Sequence, residues 1–104
     1  MAETLLLFKP QEWRPIIRKL IEAPSAERLR RMLGGDPAGV PEFDSIEYDR
    51  TLYSCVALCN ARGAYKRLHA NAFATLLWHH ARRRNGLLPN SDFLAGPVAV
   101  IFGN

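Results

Sequence analysis

The stretch TLYSCVALCN, residues 51–60, decides whether this chain of 104 residues is mainly helical or mainly sheet. Its threonine, valine and tyrosine favour a strand, whereas its alanine and leucines are good helix formers. Asp49 precedes the stretch and can cap a helix, and Gly63 follows it and can end one. We therefore predict a helix over residues 50–61. The shared face of that helix holds Leu52, Cys55, Val56 and Cys59.

Two strongly apolar stretches lie near the two ends of the chain. TLLLFK, residues 4–9, is followed by Pro10, and PVAVIF covers residues 97–102. Each has the composition of a buried strand and is too apolar to be left exposed. We predict that strands 4–8 and 97–102 pair in one small sheet. SIEYD, residues 45–49, is a further candidate for a short strand.

The segments between these strands carry helix signals. Residues 15–22 begin with Pro15 and place isoleucine and leucine at helical spacing, which predicts a first helix. Residues 26–33 follow Ser25, a good N-cap residue, and precede Gly34, a good terminator. They form the second predicted helix.

The longest predicted helix spans residues 64–85, with Gly86 just beyond its C-terminus. Residues 36–43, DPAGVPEF, are predicted to be a loop because of their proline and glycine content. Strands at both ends with about four helices between them predict an α+β fold. The whole chain, residues 1–104, is expected to form a single domain with its helices on one face of the sheet.

Composition narrows the class of protein. Hydrophobic residues make up 48% and charged residues 23%, which is typical of a globular domain. No apolar run approaches the roughly 20 residues needed to span a bilayer, and the N-terminal residues do not resemble a signal peptide. Two cysteines are too few for a disulfide scaffold and favour free thiols in a reducing compartment. We expect a cytoplasmic protein that does not bind membranes.

Metal-binding and catalytic motifs are not recognisable in the sequence. His69 and His80 share a face of the predicted helix but lie about 16 Å apart along it, and the adjacent His79 and His80 diverge by ~100°. Cys55 and Cys59 are not spaced like familiar zinc ligands. We therefore predict no metal, no cofactor, no catalytic residue and no small-molecule substrate.

Charge is distributed unevenly along the chain. The acidic segment, residues 36–49, has five acids and no base, whereas residues 50–84 have seven bases and no acid. Such asymmetry indicates an acidic partner, either protein or nucleic acid. Alternatively, the acidic segment neutralises the basic segment, residues 62–84, within one chain or across a dimer.

The stretch LLWHHARRRNG, residues 76–86, concentrates the candidate contact residues. A helical wheel over residues 64–85 turns an apolar arc inward and leaves Trp78 on the opposite side. That tryptophan is either covered by residues 87–95 or exposed as a contact residue. The inward arc comprises Tyr65, Leu68, His69, Ala72, Phe73, Leu76, Leu77 and His80. The outward side comprises Arg67, Asn71, Trp78 and Arg82.

Tryptophan and arginine are enriched at interaction hot spots, and the four-residue spacing lets the Arg82 guanidinium lie against the indole. We therefore predict a small non-enzymatic binding, adaptor or inhibitor module. Its partner-binding residues are Arg67, Asn71, Trp78 and Arg82.

The expected partner is a protein with an acidic surface or a second copy of this chain. Further contacts to acidic groups or phosphates come from Lys66, Arg83 and Arg84, although cations are also favoured at a helix C-terminus. The alternative is a sequence-tolerant nucleic-acid-binding protein, in which the basic segment contacts phosphates and Trp78 stacks on a base.

Overall fold

The computed structural model describes residues 3–63 and 66–103. Six strands form an antiparallel sheet in the order β2-β1-β6-β5-β3, and β4 pairs with the remaining part of β5. In chain order the elements are β1 (Glu3–Phe8), β2 (Ile16–Leu20), α1 (Ala26–Leu33), β3 (Pro37–Gly39), β4 (Ser45–Tyr48), β5 (Thr51–Asn60), α2 (Ala72–Arg84) and β6 (Val98–Gly103).

The two terminal strands pair at the centre of the sheet, as predicted. β1 and β6 are antiparallel neighbours, with Glu3 opposite Gly103 and Phe8 opposite Val98. Side chains alternate between the two faces of these strands. One face packs against α2 through Leu6, Phe8, Val98, Val100 and Phe102. The other face packs against α1 through Leu5, Leu7 and Ala99. The prediction that all helices lie on one face is therefore wrong.

Residues 51–60 form β5, the longest strand, so the predicted helix over residues 50–61 is wrong. β5 pairs with β6 on one side and with β3 and β4 on the other. Its propensities alone are balanced, and pairing along both sides decides in favour of a strand. Because residues 16–20 are also a strand, the fold has two helices and a six-stranded sheet, rather than about four helices and a small sheet.

The prediction of a helix over residues 15–22 is also wrong, because residues 16–20 form the strand β2. β2 pairs with β1 along its full length, so that Ile16 lies opposite Leu7 and Leu20 opposite Glu3. Residues 16 and 20 share a face in a strand as well as in a helix, which makes the apolar spacing ambiguous. Ile17 and Ile21, which would complete a helical stripe, are instead exposed.

Helix α1 matches its predicted bounds. The Ser25 hydroxyl accepts a hydrogen bond from the Arg28 N–H at 3.1 Å, and Gly34 ends the helix in the left-handed conformation with φ of 75°. Leu33 is fully buried under the sheet. Local capping signals were sufficient here because both ends of the helix carry them.

Helix α2 is shorter than the predicted helix over residues 64–85. It begins at Ala72, and the part of the preceding stretch that the structure describes, residues 66–71, is loop. Residues 64 and 65, including Tyr65 of the predicted inward arc, lie outside the described residues. Gly86 follows the C-terminus with φ of 76°, as predicted. No helix in the described ranges is long and apolar enough to cross a membrane.

The acidic segment forms an interrupted edge strand rather than a plain loop. β3 and β4 lie on the same side of β5 and are separated by a bulge at residues 41–43. The bulge is flanked by two hydrogen bonds of 2.9 Å to β5, from Val40 N–H to the Ala57 carbonyl and from Cys55 N–H to the Asp44 carbonyl. Phe43 of the bulge is 2% exposed and fills the core beneath α2.

Candidate functional site

Trp78, on which the predicted contact surface depends, is buried. Its side chain is 7% exposed and packs in the core between α2 and the sheet. The indole Nε1–H donates a 2.8 Å hydrogen bond to the carbonyl oxygen of Pro41 in the bulge. The prediction that Trp78 is an exposed contact residue is therefore wrong. The alternative of a covered indole holds, and Leu94 of the predicted covering segment lies in the same cluster.

The helical wheel failed because it was rotated towards the large apolar residues. The buried residues of α2 are Ala74, Trp78 and Ala81. The two alanines let the helix approach the sheet closely, so that the one large residue between them is accommodated. Leu76, predicted to face inward, is 44% exposed, and His80 is exposed as well.

Arg82 contacts the indole as predicted, but inside the protein. Its guanidinium carbon lies 5.8 Å from the centroid of the Trp78 ring. Its Nη1 forms an ion pair with Glu42 in the bulge, and its Nη2 donates to the Leu88 carbonyl at 3.3 Å. The Arg82 side chain is only 16% exposed. This arginine therefore attaches α2 to the edge strand and is not free to contact a partner.

The end of α2 makes two more contacts with the acidic segment. Arg84 donates to the hydroxyl and the carbonyl of Ser45 at 2.9 and 3.0 Å, and the Asn85 amide donates to Asp44 at 3.1 Å. Together with the Arg82–Glu42 pair, these contacts show that the acidic and basic segments are complementary within one chain. Asp36 pairs instead with Arg30 at 3.0 Å.

Asn71, another predicted contact residue, is completely buried. Its side-chain oxygen accepts a hydrogen bond from the Ala74 N–H and caps α2. Its Nδ2 donates two bonds of 2.9 Å, to the carbonyls of Phe8 and Gly96. All its side-chain hydrogen-bonding groups are used to join α2 to β1 and to the segment before β6. Asn71 is a structural residue.

Three of the predicted site residues remain available at the surface. Lys66, Arg67 and Arg83 are exposed, and none of them forms an ion pair with any residue that the structure describes. Lys66 borders a cavity of about 260 Å³ beside α1, and Arg83 borders one of about 160 Å³ at the end of α2. These bases are dispersed rather than gathered into one site.

The two thiols are poor nucleophiles and poor joint metal ligands. Burial, with a smaller contribution from the nearby Asp44 carboxylate, raises the pKa of Cys55 from 9.0 to about 11. Burial also raises the pKa of Cys59. In a strand, residues four apart are separated by about 13 Å, which one ion cannot bridge. Among the described residues, no three His, Cys, Asp or Glu side chains form a group that could hold a metal.

The surface that sequence reasoning missed is the outer edge of β2. In the described part of the chain, β2 pairs only with β1. Its five residues contain no proline and no bulge. Since unpaired edge strands are ready to pair with another chain, most proteins protect them. The opposite edge is protected, because Pro37 and Pro41 interrupt the edge strand and α2 holds the bulge in place.

Apolar side chains lie near this edge and form what we call the Trp13 patch, which comprises the exposed Trp13, Ile17 and Leu76 and the partly buried Phe73. Trp13 is 66% exposed, and its ring centroid lies 5.4 Å from that of Phe73 on α2. Ile17 is 46% exposed and lies opposite Leu6, on the same face of the sheet. Leu76 follows Phe73 by one helical turn.

Basic side chains accompany the apolar ones along the edge. Residues 13–20 contain Arg14, Arg18 and Lys19 and no acid. Arg18 lies opposite Leu5 and therefore on the α1 face, whereas Lys19 lies on the α2 face and donates to the Thr4 hydroxyl at 3.2 Å. The sequence signal for this strand was Pro15 followed by two isoleucines, a β-branched pair that favours an extended chain. The helical spacing of the apolar residues concealed it.

The chain matches no model of a protein family, no curated protein and no solved structure.

Proposed function

We propose that this protein is a non-enzymatic binding module whose partner is a protein with an acidic, partly apolar segment, bound at the β2 edge. The observation that carries the proposal is that a regular edge strand, with no proline and no bulge, is bordered by an exposed tryptophan and by basic residues that have no acid among them. Tryptophan supplies the large apolar area typical of binding hot spots, and the arginines attract acidic groups.

A partner formed by a second copy of this chain has less support. The acidic segment, which was the expected attachment point for a dimer, already contacts α2 of its own chain. If two β2 strands paired with each other, Arg18 and Lys19 of one copy would lie near the same residues of the other. Like charges placed opposite each other in a sheet are destabilising.

Nucleic-acid binding also has less support than a protein partner. Trp78, the residue expected to stack on a base, is buried, and Arg82 and Arg84 are engaged within the chain. Lys66, Arg67 and Arg83 remain for phosphate contacts. Three such contacts give a weak and strongly salt-dependent interaction.

The proposal is tested by affinity capture from nuclease-treated cell extract with the tagged protein and two variants. Trp13→Ala removes the centre of the Trp13 patch, and Leu88→Ala, which truncates an apolar side chain that is 83% exposed in the segment after α2, is the matched control. A protein partner identified by mass spectrometry is then purified, and its affinity for each variant is measured by calorimetry.

We expect Trp13→Ala to weaken binding of that partner by about 2 kcal/mol, as for a hot-spot residue, and Leu88→Ala to leave it unchanged. A partner that binds both variants equally well would contradict the proposed surface. Recovery of nucleic acid alone, from extract that is not treated with nuclease, would favour the alternative function.

A further inference from the structure

We infer that the partner binds as an added β-strand along β2, through an extended segment in which apolar and acidic side chains alternate. This inference rests on the proposed function and adds the mode of binding and the chemical pattern of the bound segment. Strand addition uses the backbone groups of an exposed edge for affinity and the alternate side chains for specificity.

The backbone of β2 provides the first requirement. Along its inner side, all five residues from Ile16 to Leu20 are in register with β1. Along its outer side, no strand or loop of the described chain is hydrogen-bonded to it. An edge of five residues extends for about 17 Å and can accept an added segment of similar length.

The two edges of the sheet differ in a way that selects β2. At the other edge, β3 is three residues long and includes Pro37, which has no N–H to donate. The bulge then directs the chain away from a regular ladder before β4 begins. β2 has no proline and no bulge, so its five residues present a regular edge to an added strand.

The faces of β2 determine the pattern of the added segment. On the α2 face, a side chain next to Ile17 contacts the Trp13 patch and is best apolar. On the α1 face, a neighbouring side chain lies beside Arg18, which is exposed and forms no ion pair among the described residues. An acidic side chain there forms a cross-strand ion pair. The two successive residues of the added segment next to Ile17 and Arg18 are therefore apolar and acidic, and regular alternation extends this pattern.

The same charges favour a foreign segment over a second copy of this chain. β2 carries Arg18 and Lys19 side by side in its five residues and no acid. The acidic side chains of the added segment neutralise Arg18 on the α1 face, whereas another β2 strand doubles the positive charge at the junction.

The probe for this inference is a synthetic heptapeptide of alternating valine and glutamate with blocked ends, titrated into the isotopically labelled full chain. We expect millimolar or tighter binding, with amide shifts and slower hydrogen exchange confined to β2 and the Trp13 patch. In a sheet only alternate N–H groups point towards a given neighbour. N-methylation of one alternate set of peptide amides should therefore weaken binding at least tenfold, and methylation of the other set should have little effect.

The protein variant Arg18→Glu should weaken binding of this peptide about tenfold, and a peptide of alternating valine and lysine should bind that variant better than it binds the unaltered protein. Circular dichroism of the variant checks that it is folded. A control peptide of the same composition, with its valines and glutamates in separate blocks, should bind at least tenfold more weakly.

Each other result is decisive. A peptide that fails to bind at millimolar concentration, that shifts residues away from β2, or that is equally sensitive to both sets of N-methyl groups would overturn strand addition. Dimerisation of the free protein that is abolished by Arg18→Pro, seen by light scattering, would assign the edge to a second copy.

If the captured partner depends on Trp13 but protects no β2 amide, strand addition fails and the proposed function survives. If the heptapeptide binds β2 but the captured partner is indifferent to Trp13→Ala, the proposed function fails.

Discussion

The two edges of the sheet are built on opposite principles. At the β3–β4 edge the chain is interrupted, and α2 holds the interruption in place through Trp78, Arg82 and Arg84. At the β2 edge the strand is regular and its exposed side chains contact mainly solvent. Trp78, Arg82 and Arg84, the most prominent candidates for binding in the sequence, therefore lie at the β3–β4 edge, where they stabilise the fold. We call this the closed edge and the β2 edge the open edge. The surface available to a partner is made of less conspicuous residues.

The largest expected effect is at the centre of the closed edge. Trp78→Ala should lower the free energy of unfolding by about 3–5 kcal/mol, because it leaves a cavity and removes the donor to the Pro41 carbonyl. Leu76→Ala, two residues earlier on the same helix, should cost less than about 1 kcal/mol, since Leu76 is 44% exposed. Urea denaturation of both variants measures the difference. Equal losses would show that the two sides of α2 are not distinct.

Asn71→Ala should cost about 2–4 kcal/mol. It removes the cap of α2 and leaves the Phe8 and Gly96 carbonyls without their donor. Asn71→Asp keeps the capping oxygen but replaces the Nδ2 donor by an oxygen that faces the Phe8 and Gly96 carbonyls. We expect the aspartate variant to recover less than half of the loss in urea denaturation. Full recovery would show that capping alone matters.

Arg82→Met should cost about 1–2 kcal/mol. Removing one partner of a buried ion pair can cost more, but Glu42 is 43% exposed and solvent screens this pair. The matched control is Arg83→Met, which should change stability by less than ~0.5 kcal/mol because Arg83 is exposed and forms no ion pair among the described residues. Thermal melts in low and high salt compare the two. A loss in both variants would indicate a general effect of charge on α2.

The closed edge should also lose stability in alkali. Because burial raises the pKa of Cys55 from 9.0 to about 11, the unfolded chain releases this proton more readily than the folded protein. The contribution of Cys55 is therefore complete below pH 9 and decreases as the pH rises from 9 towards 11. Denaturation of the protein and of Cys55→Ala over this range checks the sign. The alanine variant should show a smaller decrease with pH, and a larger one would contradict the raised pKa.

The smallest effect on stability is expected at the open edge. Trp13→Ala should lower the free energy of unfolding by less than about 1 kcal/mol, because two thirds of the side chain is already in solvent and only its contact with Phe73 is lost. This is the direct counterpart of Trp78→Ala, since the same residue type is removed at the other edge. A loss as large as that of Trp78→Ala would make Trp13 a core residue and remove it from the binding surface.

The elements predicted correctly are those whose signals are local and agree with one another. Helix α1 has a cap at one end and a glycine at the other, and β1 and β6 are apolar on both faces because a helix covers each face of the sheet. β5 and β2 were mistaken for helices, since their composition or spacing fits both structures and only their neighbours in the sheet decide. No short window of sequence contains that information.

The candidate site was harder to predict because the burial of Trp78 depends on two alanines of α2. The inward arc of the wheel over residues 64–85 did not include Ala74 or Ala81, whereas their small size is what brings α2 against the sheet. Trp78 then lies in the core, and Arg82 packs against its ring. The complementarity of the acidic and basic segments could be predicted from charge alone, because it does not depend on the rotation of a helix.

The position of β6 determines when the protein can fold during its synthesis. β6 lies between β1 and β5, yet its residues are made some ninety positions after those of β1. Until residues 98–103 have left the ribosome, β1 and β5 have no central neighbour, and the apolar faces of both strands lack the pairing that orders them. Contacts between such distant parts of a chain form slowly. We expect nascent chains that end before Pro97 to be protease-sensitive and to require protection from aggregation, even though α1 and its caps are already complete.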